Sequence, residues 1–432
     1  MKLLWSSLLV ILPLFLASCD KKEKLPGVRE PLQGIVGSYI LEPVSPSERA
    51  AIVQVPAARS ISRYVSACGN DQRLAINHKM NQNPRQLWKT SVGSGPVLTD
   101  PIAFGGNIYL VDANGILFCV SQQDGKVIWQ KMVAKQPDDG LFSGGITAEN
   151  DIIYIGTNIG TVIAFDAKTQ KEIWKKELKF PIKGAPLHVS GKIIVTTINN
   201  QTMALSSGNG DVVWTKTVNQ EQTIMCEAST PAVIGNSIIC AYSSGDVMAL
   251  NLPNGSDIWS DVLFPGNLAD SGSVIAHITA APVVWKDFVL VSMSEDRMAL
   301  IDAITGIRIW DQEVGTISTP AVVDGWAFVL RSDGTVVCIS LKTGHLKWMA
   351  NIGSMCIDKN NKPIEAKWSG PIVVNGDIVV VNDAGYLIAL DVSTGKLKKQ
   401  QFFKDARMAR SPMVIDGKLF ALTERADLYA IG

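Results

Sequence analysis

Charge of one sign is what this chain lacks first: 40 lysines and arginines meet 40 aspartates and glutamates across 432 residues. Without a net field it has no general means of recruiting nucleic acid or steering a charged substrate, so no nucleic-acid partner is expected. Histidine is scarce. His78, His188, His277 and His345 stand far apart, with no HExxH or paired-ligand spacing. No GxSxG elbow and no P-loop occur, and GNGDVV at 208–213 reads as a strand turn because no helix follows it. DKNNKPIE at 358–365 lacks the glycine and spacing of an EF-hand and reads as a surface insertion. These absences leave no catalytic residue, no metal ligands and no cofactor to name.

Cysteine is present but forms no framework. Besides Cys19 there are Cys68, Cys119, Cys226, Cys240, Cys338 and Cys356, with no CxxC pair among them. Cys119 (ILFCVS) and Cys338 (TVVCIS) sit in matching apolar strands, where they read as small buried hydrophobes. Only one long hydrophobic run exists. LLWSSLLVILPLFLA, after Lys2, is short for a membrane span and well sized for a signal-peptide core. It ends in LASC, which resembles the lipobox of bacterial lipoproteins. Residues 1–18 are therefore expected to be a lipoprotein signal peptide, and the Cys19 thiol to carry the lipid. Buried acyl chains contribute about 0.8 kcal/mol per CH₂, enough together to anchor the mature protein.

What the chain has in abundance is self-similarity. Tryptophans fall at 88, 129, 174, 214, 259, 310 and 348, each closing a phrase such as DAITGIRIW (302–310) or SLKTGHLKW (340–348). A proline opens most units, at Pro101, Pro186, Pro231, Pro282, Pro320, Pro371 and Pro412, with Ile146 the exception. Each unit reads as four short strands joined by glycine-containing turns such as Asp324–Gly325 and Asn375–Gly376, which supply positive φ. Its middle strands are nearly unbroken apolar runs (IIYIG, IIVTT, FVLVS), as strands covered on both faces require. No helical period of useful length appears in the repeats. Four antiparallel strands per repeat describe a β-propeller blade, and eight opening segments give eight blades.

Two irregularities sharpen that count. The seventh unit has Lys399 where tryptophan is expected, and the eighth stops at Gly432 after its third strand. QLWKTSVG (86–93) is a fourth strand with no preceding three. Pairing it with the last three strands closes the ring and leaves no open edge between the termini. The expected organisation is a tether over 19–83 and an all-β, eight-bladed propeller of four-stranded antiparallel blades over 84–432. The tryptophans are expected to pack between neighbouring blades rather than hold a ligand.

The GxxxALDxxTGxxxW phrasing resembles the PQQ-type propeller repeat. With the lipobox, the Leu25-Pro26-Gly27 and Arg29 tether and eight blades, the mature chain resembles the BamB lipoprotein family of the outer-membrane β-barrel assembly machinery. The segments ITAAPVV, TPAVVDG, WSGPIVV and TGHLKW carry the resemblance most closely. It implies a non-enzymatic scaffold that binds the periplasmic POTRA domains of the central barrel protein, alongside other assembly lipoproteins. It also implies help in inserting unfolded outer-membrane protein clients, and a lipid anchor at the periplasmic face of the outer membrane. Asp20, directly after Cys19, raises inner-membrane retention as the alternative.

Family contacts transfer to two places. The family's apolar–basic stretch before a blade opening falls on FPIKGAP, which gives Phe180, Ile182 and Lys183 as expected protein-binding residues. Its acidic residue before a later blade falls on HITAAP, which puts His277 at that position and Asp270 several residues earlier. The insertion 261–279 adds Phe264 and Leu268, and a second insertion spans 350–369. The competing readings are a quinoprotein dehydrogenase binding pyrroloquinoline quinone and a ligand-sensing propeller. Quinoprotein enzymes add a calcium site and commonly adjacent cysteines, and no Cys–Cys pair occurs here.

Overall fold

The computed structural model describes residues 35–36, 39–66, 69–93, 99–135, 144–182, 184–218, 229–263, 277–294, 297–316, 318–355, 357, 362–363, 366–408 and 410–432. Eight antiparallel sheets follow one another along the chain and form the eight blades of a β-propeller. Blade 5 is representative, with strands Val283–Trp285, Phe288–Ser292, Met298–Asp302 and Arg308–Gln312. Tight turns set these registers. In blade 6, Asp324 and Gly325 both take positive φ (50° and 77°), a mirror-image turn that joins Val323 to its partner Trp326.

The first strands of neighbouring blades touch one another, whereas most fourth strands are exposed along their length. First strands therefore lie at the axis and fourth strands at the rim. The core is divided accordingly into eight clusters, each shared by two adjacent blades.

The ring closes as the repeat count requires. Gln86–Ser91 pairs antiparallel with Asp427–Ile431, setting Trp88 opposite Ala430. Arg85 and Gly432 exchange backbone hydrogen bonds at 2.9 and 3.0 Å, so the C-terminus is tied to the start of the strand that completes blade 8. One feature of the rim has no signature in the sequence. All eight fourth strands carry a one-residue bulge just before the tryptophan position, as where Leu300 faces Trp310 but Ile301 faces Arg308. The bulged residue is pushed outward, and six of the eight are exposed aliphatics, from Leu87 to Ile309.

The tryptophans lock each blade to the next. The indole N–H of Trp174, Trp214, Trp259, Trp310 and Trp348 donates to a backbone carbonyl just past the third strand of the following blade, at 2.8–3.0 Å. The glycine of that blade's turn lies flat against the ring. A Cβ on Gly306 would sit 2.7 Å from Cγ of Trp259. The aspartate opening the turn holds its shape: the Asp302 carboxylate accepts from the Ile304 and Thr305 N–H groups and the Thr305 hydroxyl, which lowers its pKa.

Residues 41–66 and 69–83 lie against the ring. Glu42 and Val44 exchange backbone hydrogen bonds with Leu346 on the outer strand of blade 6. The short helix Pro46–Ala50 follows, capped by Ser45, and its C-terminal carbonyls together with that of Ala51 surround the Lys347 ammonium at 2.6–3.2 Å. The chain then turns to the axis. Tyr64 pairs with Ala103 of blade 1, and the carbonyls of Val65, Asp71 and Gln72 accept from Ala148, Val233 and Val284 in blades 2, 4 and 5. Asn77–His78 adds a parallel fifth strand to blade 7, and the Ile61 carbonyl accepts from Asp416 of blade 8. Residues 61–66 and 69–78 thus reach the first strands, or the turns directly after them, of six blades.

Candidate functional site

Two places merit examination in a ring of this kind: the axis, where the unpaired edges of the inner strands converge, and the loops and rim, where long connections and exposed side chains collect. At the axis strand edges are engaged by residues 61–66 and 69–78. Arg73, 1% exposed, donates through its two terminal nitrogens to the carbonyls of Asn70 and Pro231. His78 is also buried, and burial together with the nearby Arg59 charge lowers its pKa to about 4, so it is neutral at pH 7.

Reactive groups elsewhere are similarly quenched. Cys119 and Cys338 are free and buried, as read from their strands, and so is Cys240; burial raises the thiols of Cys119 and Cys240 to about 11 and 12. Among the described residues, no three His, Cys, Asp or Glu side chains gather where they could hold a metal ion. A cavity of about 410 Å³ opens at the 350–369 insertion, lined by Ser332, Asp333, Asn351, Ser354 and Trp368 among others.

The first expected contact loop is partly internal. Ile182 is 1% exposed, donates its N–H to the Thr157 carbonyl and belongs to the core between blades 2 and 3. Phe180 is half-buried, with the Lys179 ammonium 5.3 Å from its ring centre. Lys183 lies outside the described residues, as do Phe264, Leu268, Asp270 and Cys19.

The stems of the second loop are described. On one side Leu263 is fully buried; on the other His277 is 3% exposed and its carbonyl accepts from Ser294 N–H at 2.9 Å. Next to the first stem, Arg308 of blade 5 grips Asp261 of blade 4 with Nε and Nη2 at 2.8–3.0 Å. The same guanidinium donates to the Val262 carbonyl and to Asp311. Two carboxylates hold this arginine charged, with Asp261 the larger influence. Sequence reading missed this clamp because its partners are 47 residues apart, although Arg308 stands inside the repeated phrase itself.

Comparison with known proteins bears on the same architecture. A family model described as outer membrane protein assembly factor BamB matches residues 42–131 and 128–350. The BamB of Yersinia pestis is 22% identical over 360 residues, covering 81% of this chain and 88% of that protein. Among solved structures, BamB from Moraxella catarrhalis superposes with a TM-score of 0.68 at 18% identity, covering 81% of this chain and 99% of that one. A europium-containing methanol dehydrogenase gives the same TM-score at 14% identity, covering 86% of this chain and 98% of the enzyme. At such identities the structural likenesses establish the propeller, which assembly factors and enzymes share. The match of sequence to the family over most of the chain goes further: this protein belongs to the BamB family of outer membrane protein assembly factors.

Proposed function

We propose that this protein is a non-catalytic scaffold for outer-membrane β-barrel assembly, anchored by lipid on Cys19. It binds the POTRA domains of the central barrel component and aids insertion of unfolded barrel clients. Family membership supports the assembly role. The observation that supports the non-catalytic reading is at the axis, where the first strands of five blades and the turn after that of blade 8 hydrogen-bond the chain's own residues 61–66 and 69–78. A ring whose inner strands are engaged in this way offers its loops and rim to partners. Of the expected contact residues, Phe180, Lys183, Phe264, Leu268 and Asp270 are proposed to touch the partner. Buried Ile182 and His277 are proposed to set the loops' geometry.

The test is affinity purification of the full-length chain from detergent-solubilised envelope. Recovery of an outer-membrane barrel protein with POTRA domains is expected, and its repeated absence would sink the proposal. A Cys19→Ala chain is expected to leave the membrane fraction. Tight binding of pyrroloquinoline quinone by the purified ring would restore the enzyme reading.

A further inference from the structure

The repeat supplies its own standard for which residues the fold needs, and blade 5 departs from it at the rim. In DAITGIRIW, Ile304 and Ile307 flank the Thr305–Gly306 turn and are 67% and 63% exposed. At the position of Ile304 the other turns carry Gln123, Lys168, Gly208, Pro253, Lys342 or Ser393. At the position of Ile307 they carry Lys126, Lys171, Asp211, Ser256, His345 or Lys396. Backbone geometry makes these positions equivalent, because each turn places one residue between them at φ of 56–75°. Six turns therefore show that the blade folds with other residues there, so neither isoleucine serves the blade. Together with the bulged Ile309, 47% exposed, they put three branched aliphatics on one short stretch of surface.

That patch is rigid and negatively framed. The turn is pinned beneath by Trp259 against Gly306, and the strand start is pinned by Arg308 on Asp261. Around it, residues 257–263 and 297–313 carry Asp257, Asp261, Asp302, Asp311 and Glu313 against Arg297 and Arg308, and Lys216 of blade 3 pairs with Asp257 at 2.6 Å, so five carboxylates face three bases. Both arginines already face carboxylates of this group.

We infer that the rim of blade 5 is a second docking surface, fitted to an amphipathic segment of another protein whose apolar residues are flanked by lysine or arginine. Apolar contact comes from Ile304, Ile307 and Ile309, and the surrounding carboxylates select the basic flanks. The sign of the frame disfavours anionic lipid headgroups. It also disfavours a symmetric second copy, which would set two acidic frames face to face. The patch residues Ile304, Ile307 and Ile309 are none of the loop residues proposed for the assembly contact.

The experiment places a photo-crosslinking amino acid at position 304 of the full-length chain in its own envelope. Position 168, the equivalent site in blade 2, serves as control, and crosslinked peptides are identified by mass spectrometry. The expected product joins position 304 to a segment of another polypeptide bearing apolar and basic residues. Adding Ile307→Lys, which reproduces the Lys171 of blade 2, is expected to cut that yield at least about tenfold. The melting temperature should stay unchanged; if Ile307→Lys melts early, Ile307→Ser, which copies Ser256 of blade 4, takes its place. Equal yields at 304 and 168, or products consisting of lipid or of a second copy of this chain, would overturn the inference. Recovery of a POTRA-bearing protein is scored separately, so either idea can fail alone.

Discussion

Gly306 occupies a position that only glycine fits twice over. Its φ of 74° disfavours a side chain, and a Cβ would press into Trp259 of the preceding blade. Gly306→Ala is therefore expected to destabilise the protein by about 1–3 kcal/mol, seen as a lower denaturant midpoint at unchanged slope. Combined with Trp259→Ala, itself costing about 3 kcal/mol, the loss should be less than additive, because the second change removes what the first collides with. Lys399 is the informative exception. A tryptophan there would need the following blade's turn to lie on, and blade 8 has none, because its third and fourth strands come from opposite ends of the chain. Lys399 instead donates to the Gln82 carbonyl on the segment leading into that fourth strand. Lys399→Trp is expected to lower the melting temperature, although it restores the repeat's consensus. The repeated tryptophan marked the blades plainly in the sequence. Packing of the tryptophans between blades was expected; that indoles such as Trp174, Trp214 and Trp259 close over the turn of the next blade was not legible, since the contact joins residues tens of positions apart.

At the scale of the element, the segment 41–83 was the least legible part of the chain. Its Pro-rich, irregular composition reads as a tether. Yet successive residues bond different blades, so no partner recurs often enough to impose a period. His78 gives this segment a measurable signature. Folded, it stays neutral down to about pH 4, whereas an unfolded histidine takes up its proton near 6.5. Between those values the unfolded chain binds more protons, so stability falls as pH drops from 6.5 towards 4. The expected loss is up to about 3 kcal/mol over that window relative to His78→Gln, which lacks the titration. Chemical denaturation of both proteins at pH 7, 5 and 4 reads the difference; parallel curves would show that His78 is not held neutral in the fold.

For the whole molecule, the blade count and the closure between Trp88 and the C-terminal strand were readable, because the orphan strand and the incomplete blade complement each other. The expected contact residues were less so: sequence could assign them to loops but could not show that Ile182 and His277 are buried at the loop stems. The resulting particle is a ring whose inner strands bond the chain's own N-terminal segment, with exposed isoleucines flanking the rim turn of blade 5. The most direct measurement is the amount of folded barrel protein in the outer membrane of cells depleted of this chain. Heat-modifiable mobility scores folded barrels against unfolded ones. A general fall that the full-length chain restores is predicted, and barrel content that stays unchanged on depletion would contradict the account.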